Sequence, residues 1–377
     1  MADLQNIREE IDKVDNKLLE LFEHRMELSH RVAEYKKLKK MPVYDPVRER
    51  EKIDKLIESI KEPQNAVAVS DLFSQIMAIS RRTQHSLLNA YNDLGFTAVD
   101  KFEAGDETRI AYYGEKGSYT EQAMLKYFNG QGNGISMGTF EEVMEALETK
   151  VDYGVLPIEN SSTGTLSDIF DLLAEYDNYI IGEQVITIDH CLWGPPGSDI
   201  SEIKKIYSHR QGLLQCSNFL KQYPQVELIE GGSTARSARR VLEDKDKTQA
   251  AIASQRAGQE YGLKLLQASI HNEDNNQTRF IIISNKKNYI RSARRISICF
   301  TLPHRSGALY HILSNFIYNN INLTRIESRP IRGKAFEYRF FADFEGGLED
   351  ASVKNALYSI SEEALELKIL GSYIPVQ

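Results

Sequence analysis

From Leu4 to Lys40 the chain runs without a glycine or a proline, and its apolar residues keep one helical count throughout. Leu4, Ile7, Ile11, Val14, Leu18 and Leu21 step by threes and fours, and Leu28, Val32 and Tyr35 continue the series. The spacing predicts a single long helix with an unbroken apolar seam. The shorter helices that follow cannot cover a seam of that length. One slot in it, between Leu21 and Leu28, holds Arg25. A guanidinium stays charged, so burying it is costly unless an anion meets it.

Arg25 and Lys36 are eleven residues apart, close to three whole turns, and so share a face. Their axial separation is about 16 Å, and two long side chains can pinch a small anion across it. Arg8 precedes Arg25 by seventeen residues, roughly 25 Å of helix. A small ligand at Arg25 therefore cannot also touch Arg8 of the same helix. Either a second copy supplies it, giving an intertwined dimer, or the helix is a plain coiled coil in which Arg25 specifies register. The helix by itself fits both.

With 377 residues there is room for two or three domains. Lys plus Arg number 46 against 54 Asp plus Glu, a net charge of −8, which argues against nucleic acid as the main partner. Isolated basic positions then read as specific anion sites. Cys191, Cys216 and Cys299 form no CxxC pair, as expected for a reduced, cytoplasmic protein. The opening stretch is charged, unlike a signal peptide, and no apolar run approaches the length of a membrane span.

After the long helix, Asp45-Pro46 opens a second one, with Asp45 as N-cap and Pro46 as its first residue. Arg48 and Arg50 fall in its first turn, where the macrodipole disfavours cations and favours Glu49 and Glu51. The helix is expected to stop at Glu62-Pro63. A third is expected from about Ser70 to Ala90, with Leu72, Phe73, Ile76, Ile79, Thr83, Leu87 and Leu88 toward the core. Ser80 and Gln84 lie one turn apart beside that face and need partners. This segment, 1–92, resembles the all-helical type of chorismate mutase: Arg8, Arg25, Lys36, Asp45, Arg48, Glu49, Ser80 and Gln84 meet its pattern. The resemblance implies an intertwined dimer in which Arg25 and the partner's Arg8 hold carboxylates. Lys36 and Gln84 would hydrogen-bond the breaking ether oxygen, Glu49 would take the hydroxyl, and Arg48, Asp45 and Ser80 would complete the surroundings. The rearrangement needs no nucleophile or cofactor, only one held conformer and stabilised charge.

Residues 93–107 show no clear period and are read as a linker. From 108 to 286 short apolar runs lead into small polar turns and then helices, which implies an open α/β sheet binding ligands at the carboxyl ends of its strands. The turns lack GxGxxG and GxxxxGK[ST], so nucleotide binding is not expected, and no metal-ligand spacing occurs. Gly114-Glu115-Lys116-Gly117-Ser118-Tyr119, Pro157-Ile158-Glu159-Asn160-Ser161, Asp189-His190-Cys191-Leu192, Tyr207-Ser208-His209, Gly232-Ser233-Thr234-Ala235 and Thr278-Arg279-Phe280 together resemble the prephenate dehydratase catalytic domain. The resemblance implies two α/β lobes around a cleft, like those of periplasmic solute-binding proteins. It departs at Glu115, where proline is usual, a change expected to affect only turn rigidity. Thr278 is expected to meet the leaving hydroxyl, with Glu159 or a water as an alternative proton source. Ser118, Asn160, Ser208, Gln215 and Thr234 are expected to bind substrate, and Arg279 either holds a carboxylate or is structural. His190 and His209 read as ordinary satisfied histidines, and Cys216 as a small core residue.

Residues 294–377 read in the order βαββαβ, a ferredoxin-like sandwich. Gly307-Ala308-Leu309 and Glu327-Ser328-Arg329-Pro330 resemble the two phenylalanine-site motifs of the ACT domain of phenylalanine-regulated dehydratases, with Tyr310 where valine is usual. The whole then reads as a bifunctional chorismate mutase/prephenate dehydratase with L-phenylalanine as effector, forming a homodimer or higher homo-oligomer, without cofactor, nucleic acid or membrane partner. Two other readings are a non-catalytic amino-acid-responsive binding protein and a dehydratase with a structural helical dimerisation module. The missing signal peptide disfavours the first, and the intact Arg8, Arg25, Lys36 and Gln84 disfavour the second.

Overall fold

The structure, a computed structural model, describes residues 4–88, 94–273 and 275–376. The expected helix end at Ala90 and the start of the linker at 93 lie outside them. The chain divides into two compact units, Met1–Gly95 with Phe300–Leu367, and Phe96–Cys299 with Lys368–Gln377. The segment 294–377, expected as one piece, is thus shared between them. The divisions fall inside two strands, Arg295–Thr301 and Glu366–Tyr373.

In the first unit, α1 spans Leu4–Lys39, 36 residues and so about 54 Å. It stops where Lys40 turns left-handed (φ 52°). The Met41 N–H then donates to the Lys36 carbonyl at 3.0 Å and the Lys40 N–H to that of Lys37 at 3.3 Å, closing the last turn before Pro42. The helix α2, Pro46–Glu58, is capped by Asp45, whose carboxylate accepts from the Arg48 N–H. It ends earlier than expected. Pro63 instead starts a short 3-10 turn that runs straight into α3, Ala66–Leu88.

The buried stripe of α3 is not the apolar one expected. Met77, Ser80, Arg81, Gln84 and His85 are inside, whereas Leu72 and Leu87 are 51% and 41% exposed. The seam of α1 behaves likewise: Leu18 and Leu21 are 56% and 66% exposed, and Ser29 and Ala33 are its buried residues. Within one chain these helices turn polar groups inward and leave their apolar faces outward. The rest of this unit holds the helices Ala308–Tyr318 and Ala351–Glu363 and an antiparallel pair, Leu323–Pro330 with Tyr338–Glu345. Ala351–Glu363 packs on α3.

The second unit has two lobes. In the first, Asn133–Met137, Arg109–Tyr113 and Tyr153–Asn160 run parallel, and Gln277–Ser284 lies antiparallel between Tyr153–Asn160 and Tyr179–Thr187. In the second, Glu227–Glu230, Lys205–Ser208 and Gln249–Ser254 run parallel, and His190–Gly194 lies antiparallel between Gln249–Ser254 and Lys264–Gln267. The chain crosses between lobes after Thr187 and returns before Gln277. Ile110, Val155, Ile181 and Phe280 centre the first lobe's core, and Trp193, Tyr207, Ala253 and Cys216 help fill the second. Cys216 is the core residue expected, and burial pushes its thiol up to about 12.

The expected linker is not irregular throughout. Thr97–Val99 forms a strand parallel to Asn288–Ile290, with the Thr97 N–H donating to the Lys287 carbonyl at 2.7 Å. Residues 368–376 also belong to this unit. Gly371 pairs with Ile180 so closely that a Cβ would lie 2.0 Å from the Ile180 oxygen, which only glycine avoids. Tyr373 Oη meets Ser297 Oγ at 2.9 Å, and the Val376 N–H donates to Glu183 at 2.8 Å. Among the described residues no helix is long and apolar enough to cross a membrane. Among them also, no group of three or more His, Cys, Asp or Glu residues is placed to hold a metal ion.

Candidate active sites

A cavity of about 620 Å³ lies among the three N-terminal helices. Arg25, Lys36, Asp45, Arg48, Glu49, Ser80 and Gln84 all line it. The closing turn of α1 carries Lys36, whose Nζ donates to the Val43 carbonyl just before the α2 cap. Arg25 donates to Ser80 Oγ and to the Ile76 carbonyl. Burial pulls the pKa of Arg25 down, with Glu49 opposing, and burial does the same to Lys36, with Asp45 foremost among the opposing charges. An anion in the cavity would relieve both cations. Gln84 Nε2 donates to Ser29 Oγ at 3.3 Å, while its buried Oε1 has no hydrogen-bond partner among the described residues. Its Nε2 carries a second N–H besides the one on Ser29, and that one remains for a ligand.

Arg81 shares this cavity and was not singled out by the sequence. Its side chain is 8% exposed and spans two carboxylates, Glu49 and Glu363, the latter at 2.7 Å. The Tyr44 ring lies 4.8 Å from its guanidinium carbon. Burial alone would pull its pKa down, but Glu49 and Glu363 outweigh that and the net shift is upward.

The second site is a cleft of about 390 Å³ lined by both lobes of the α/β unit. Three helix N-termini open onto it. Ser118 and Ser233 cap Tyr119–Tyr127 and Thr234–Asp244, and His209 Nδ1 accepts from the Gln211 N–H at the start of Arg210–Gln215. Converging N–H groups of this kind suit a carboxylated ligand. At the floor, Thr278 and Asn160 are register partners. Asn160 Nδ2 donates to Thr278 Oγ1 at 2.8 Å and to Asn276 Oδ1 at 2.8 Å. Asn160 Oδ1 accepts from the N–H groups of Ser162 and Thr163. The Thr278 oxygen is thus engaged as an acceptor, which leaves its proton for a ligand. Apolar walls come from Phe140, Pro157 and Phe280.

Comparison with known proteins gives the same division. Residues 7–85 match the family chorismate mutase type II, and residues 110–288 match prephenate dehydratase. The chain is 35% identical over 375 residues to the bifunctional chorismate mutase/prephenate dehydratase of Aquifex aeolicus, covering 99% of this chain and 98% of that one. The chain belongs to the bifunctional chorismate mutase/prephenate dehydratase family. The Escherichia coli K12 member is 34% identical, covering 97% of this chain and 95% of its own. Among solved structures, a prephenate dehydratase from Arthrobacter aurescens in complex with L-Phe is 30% identical, with a TM-score of 0.66 over 71% of this chain and 90% of that one.

Not every residue expected in the two family sites is found there. In the mutase cavity the exception is Arg8, which is exposed and does not line it. Ser118, Asn160, Gln215, Thr234 and Thr278 line the dehydratase cleft, but Glu159, Arg279 and Ser208 do not. Neighbours on a strand face opposite ways, so Asn160 and Thr278 point into the cleft while Glu159 and Arg279 point away. Arg279 instead donates to Glu159 at 2.8 Å and to Glu183 at 3.2 Å, the structural role held open for it. Glu159, with its carboxylate committed to that pair, is not placed as a proton source. Ser208 is fully buried and donates to the Ile252 carbonyl at 2.9 Å. Glu115 does more than change turn rigidity, since its carboxylate meets Arg236 at 3.1 Å and Arg239 at 2.7 Å on the other lobe.

His190 lines the cleft with Nε2 on Gln215 Oε1 at 3.0 Å and Nδ1 facing Tyr119 Oη at 3.2 Å. Gln215 Nε2 in turn donates to Ser162 Oγ at 3.0 Å. The histidine is satisfied, as expected, with one ring nitrogen on Gln215 and the other on Tyr119. In the C-terminal segment, Gly307 takes φ +78° at the start of Ala308–Tyr318, a left-handed position suited to glycine, and Ala308 and Leu309 follow in the helix. Glu327, Ser328 and Arg329 lie on the strand Leu323–Pro330, and Glu327 pairs with Arg325 at 2.6 Å.

Proposed function

We propose that the helical cavity rearranges chorismate to prephenate and that the two-lobed cleft converts prephenate to phenylpyruvate. The second step releases the ring carboxylate as carbon dioxide and the hydroxyl as water. The observation that carries this reading is that seven of the eight mutase-pattern residues converge on one cavity. In that cavity Arg25 and the partner's Arg8 hold the carboxylates, Arg48 completes the surroundings, and Lys36 and Gln84 donate to the ether oxygen as its bond breaks. Glu49 accepts from the hydroxyl. Charge developing on the ether oxygen is what these donors favour over the ground state. In the cleft, helix N-termini orient the carboxylates and the Thr278 hydroxyl meets the departing oxygen, which leaves poorly without a proton. A coupled assay, chorismate supplied and phenylpyruvate measured, tests the whole. Product formation is expected with no added cofactor, and its absence in folded protein would overturn the reading.

The mutase works as an intertwined homodimer or within a higher homo-oligomer. Support comes from the exposed seam of α1 and from Arg8, too far along the helix to reach its own cavity. Mixing Arg8→Ala with Lys36→Ala protein is expected to restore about a quarter of wild-type mutase activity after subunit exchange. Half the dimers would then be mixed, each with one intact site. If Arg8 acted within its own chain, no activity would return.

The C-terminal segment is an ACT-type regulatory domain that takes L-phenylalanine at Gly307, Ala308, Leu309, Glu327, Ser328 and Arg329. Its βαββαβ order, the left-handed Gly307 and the phenylalanine complex of the Arthrobacter protein support this. Dehydratase rate is expected to fall as phenylalanine is titrated in, because an effector that prefers one state shifts the population toward it. A rate unmoved at saturation would remove the regulatory reading. The three buried cysteines fit a reducing cytoplasm.

A further inference from the structure

We propose that Arg81 is a positioning residue of the mutase site, and that Glu363 holds it in register with Glu49, so that chorismate affinity depends on the C-terminal domain. This rests on the mutase reading of the cavity. Arg81 lies one residue past Ser80 on α3, and its planar fork is divided, Nη1 to Glu49 and Nη2 to Glu363. Glu363 ends the helix Ala351–Glu363 and is itself 8% exposed. A buried cation held between a buried carboxylate, Glu363, and a partly buried one, Glu49, sets the orientation of both.

Glu49 has two demands on one carboxylate: Arg81 and the substrate hydroxyl. While Glu363 takes one arm of the guanidinium, Glu49 engages only the other and keeps lone pairs for the substrate. With the charge at position 363 removed, the full charge of the guanidinium falls on Glu49, which is drawn from the cavity toward Arg81. The neighbouring Glu362 strengthens the tie by accepting from the Tyr44 N–H at 3.2 Å and facing His85 Nε2 at 3.1 Å. Tyr44 lies between Val43, which receives Lys36, and the Asp45 cap, so the end of this helix grips the loop that shapes the site.

The test is the full-length enzyme carrying Glu363→Gln, a near-isosteric change that can still accept from Arg81 but bears no charge. KM for chorismate is expected to rise roughly fivefold or more, the span of ordinary coupling between sites, with kcat held within about twofold. Arg81→Lys, which keeps the charge but cannot reach both carboxylates, is expected to raise KM likewise. Turnover of supplied prephenate by Glu363→Gln should stay at its wild-type value, which shows that the variant is folded. Arg82→Met serves as the control. It removes another contact of α3 with the C-terminal segment, to the Tyr318 carbonyl, and should leave KM unchanged. A wild-type KM in Glu363→Gln, or an equal rise in Arg82→Met, would overturn the proposal. Lys36→Ala separates the two levels: if it retains mutase activity the site reading fails, and if it is inactive while Glu363→Gln is normal only the Arg81 bridge fails.

Discussion

Lys36→Ala is expected to lower mutase kcat/KM by about 100- to 1,000-fold, the usual effect of losing one donor aimed at charge that develops in the transition state. Turnover of supplied prephenate should persist. The argument is geometric. Lys36 sits on the last turn of α1, where the Met41 N–H closes back on its own carbonyl at 3.0 Å, so its backbone is fixed before any ligand arrives. Its ammonium is partly desolvated, with no carboxylate in direct contact among the described residues. The structural loss in Lys36→Ala is one hydrogen bond to the Val43 carbonyl, about 1 kcal/mol of stability. Separate melting and kinetic measurements therefore distinguish a lost donor from a lost fold. Near-normal mutase turnover in the variant would end the assignment of this cavity.

Thr278→Ala should cost dehydratase activity about 100-fold or more, as removal of a positioned proton donor does, while leaving the mutase intact. Asn160 already donates to Thr278 Oγ1, so the hydroxyl proton is directed elsewhere, and the cleft is what remains. Thr278→Ser keeps that hydroxyl and its bond to Asn160, and is expected to recover most of the lost rate. Equal losses in both variants would show that the methyl group and packing matter rather than the proton. A parallel fall in mutase activity would point to misfolding.

The sequence makes the elements plain where local chemistry decides them. The seam of α1, the Asp45-Pro46 start of α2 and the strand–turn–helix units of the α/β region all follow from spacing and capping. The buried stripe of α3 does not. Apolar counting selects Leu72 and Leu87, but Arg81 and His85 are buried because Glu363 and Glu362 meet them from 282 and 277 residues along the chain. No local period carries that information. Glu159 and Arg279 are a different case. They alternate with Asn160 and Thr278 on paired strands, so the two-residue repeat of a strand was sufficient to place them on the opposite face. Ser208 was expected in the cleft and lies outside it for a third reason. A serine ending a strand looks the same in sequence whether its hydroxyl faces a ligand or a neighbouring carbonyl.

The pairing of Gly371 with Ile180, and the seat of Val376 on Glu183, bear on how this protein is made. Ribosomes deliver the chain from its amino end, so the unit that begins at Phe96 cannot fill its last strand position until residues 368–376 have emerged. Cutting the gene at residue 286 to obtain a stand-alone dehydratase would strip that strand and the Arg295 that shares Glu183. A better excision replaces 300–367 with a short turn and keeps both ends.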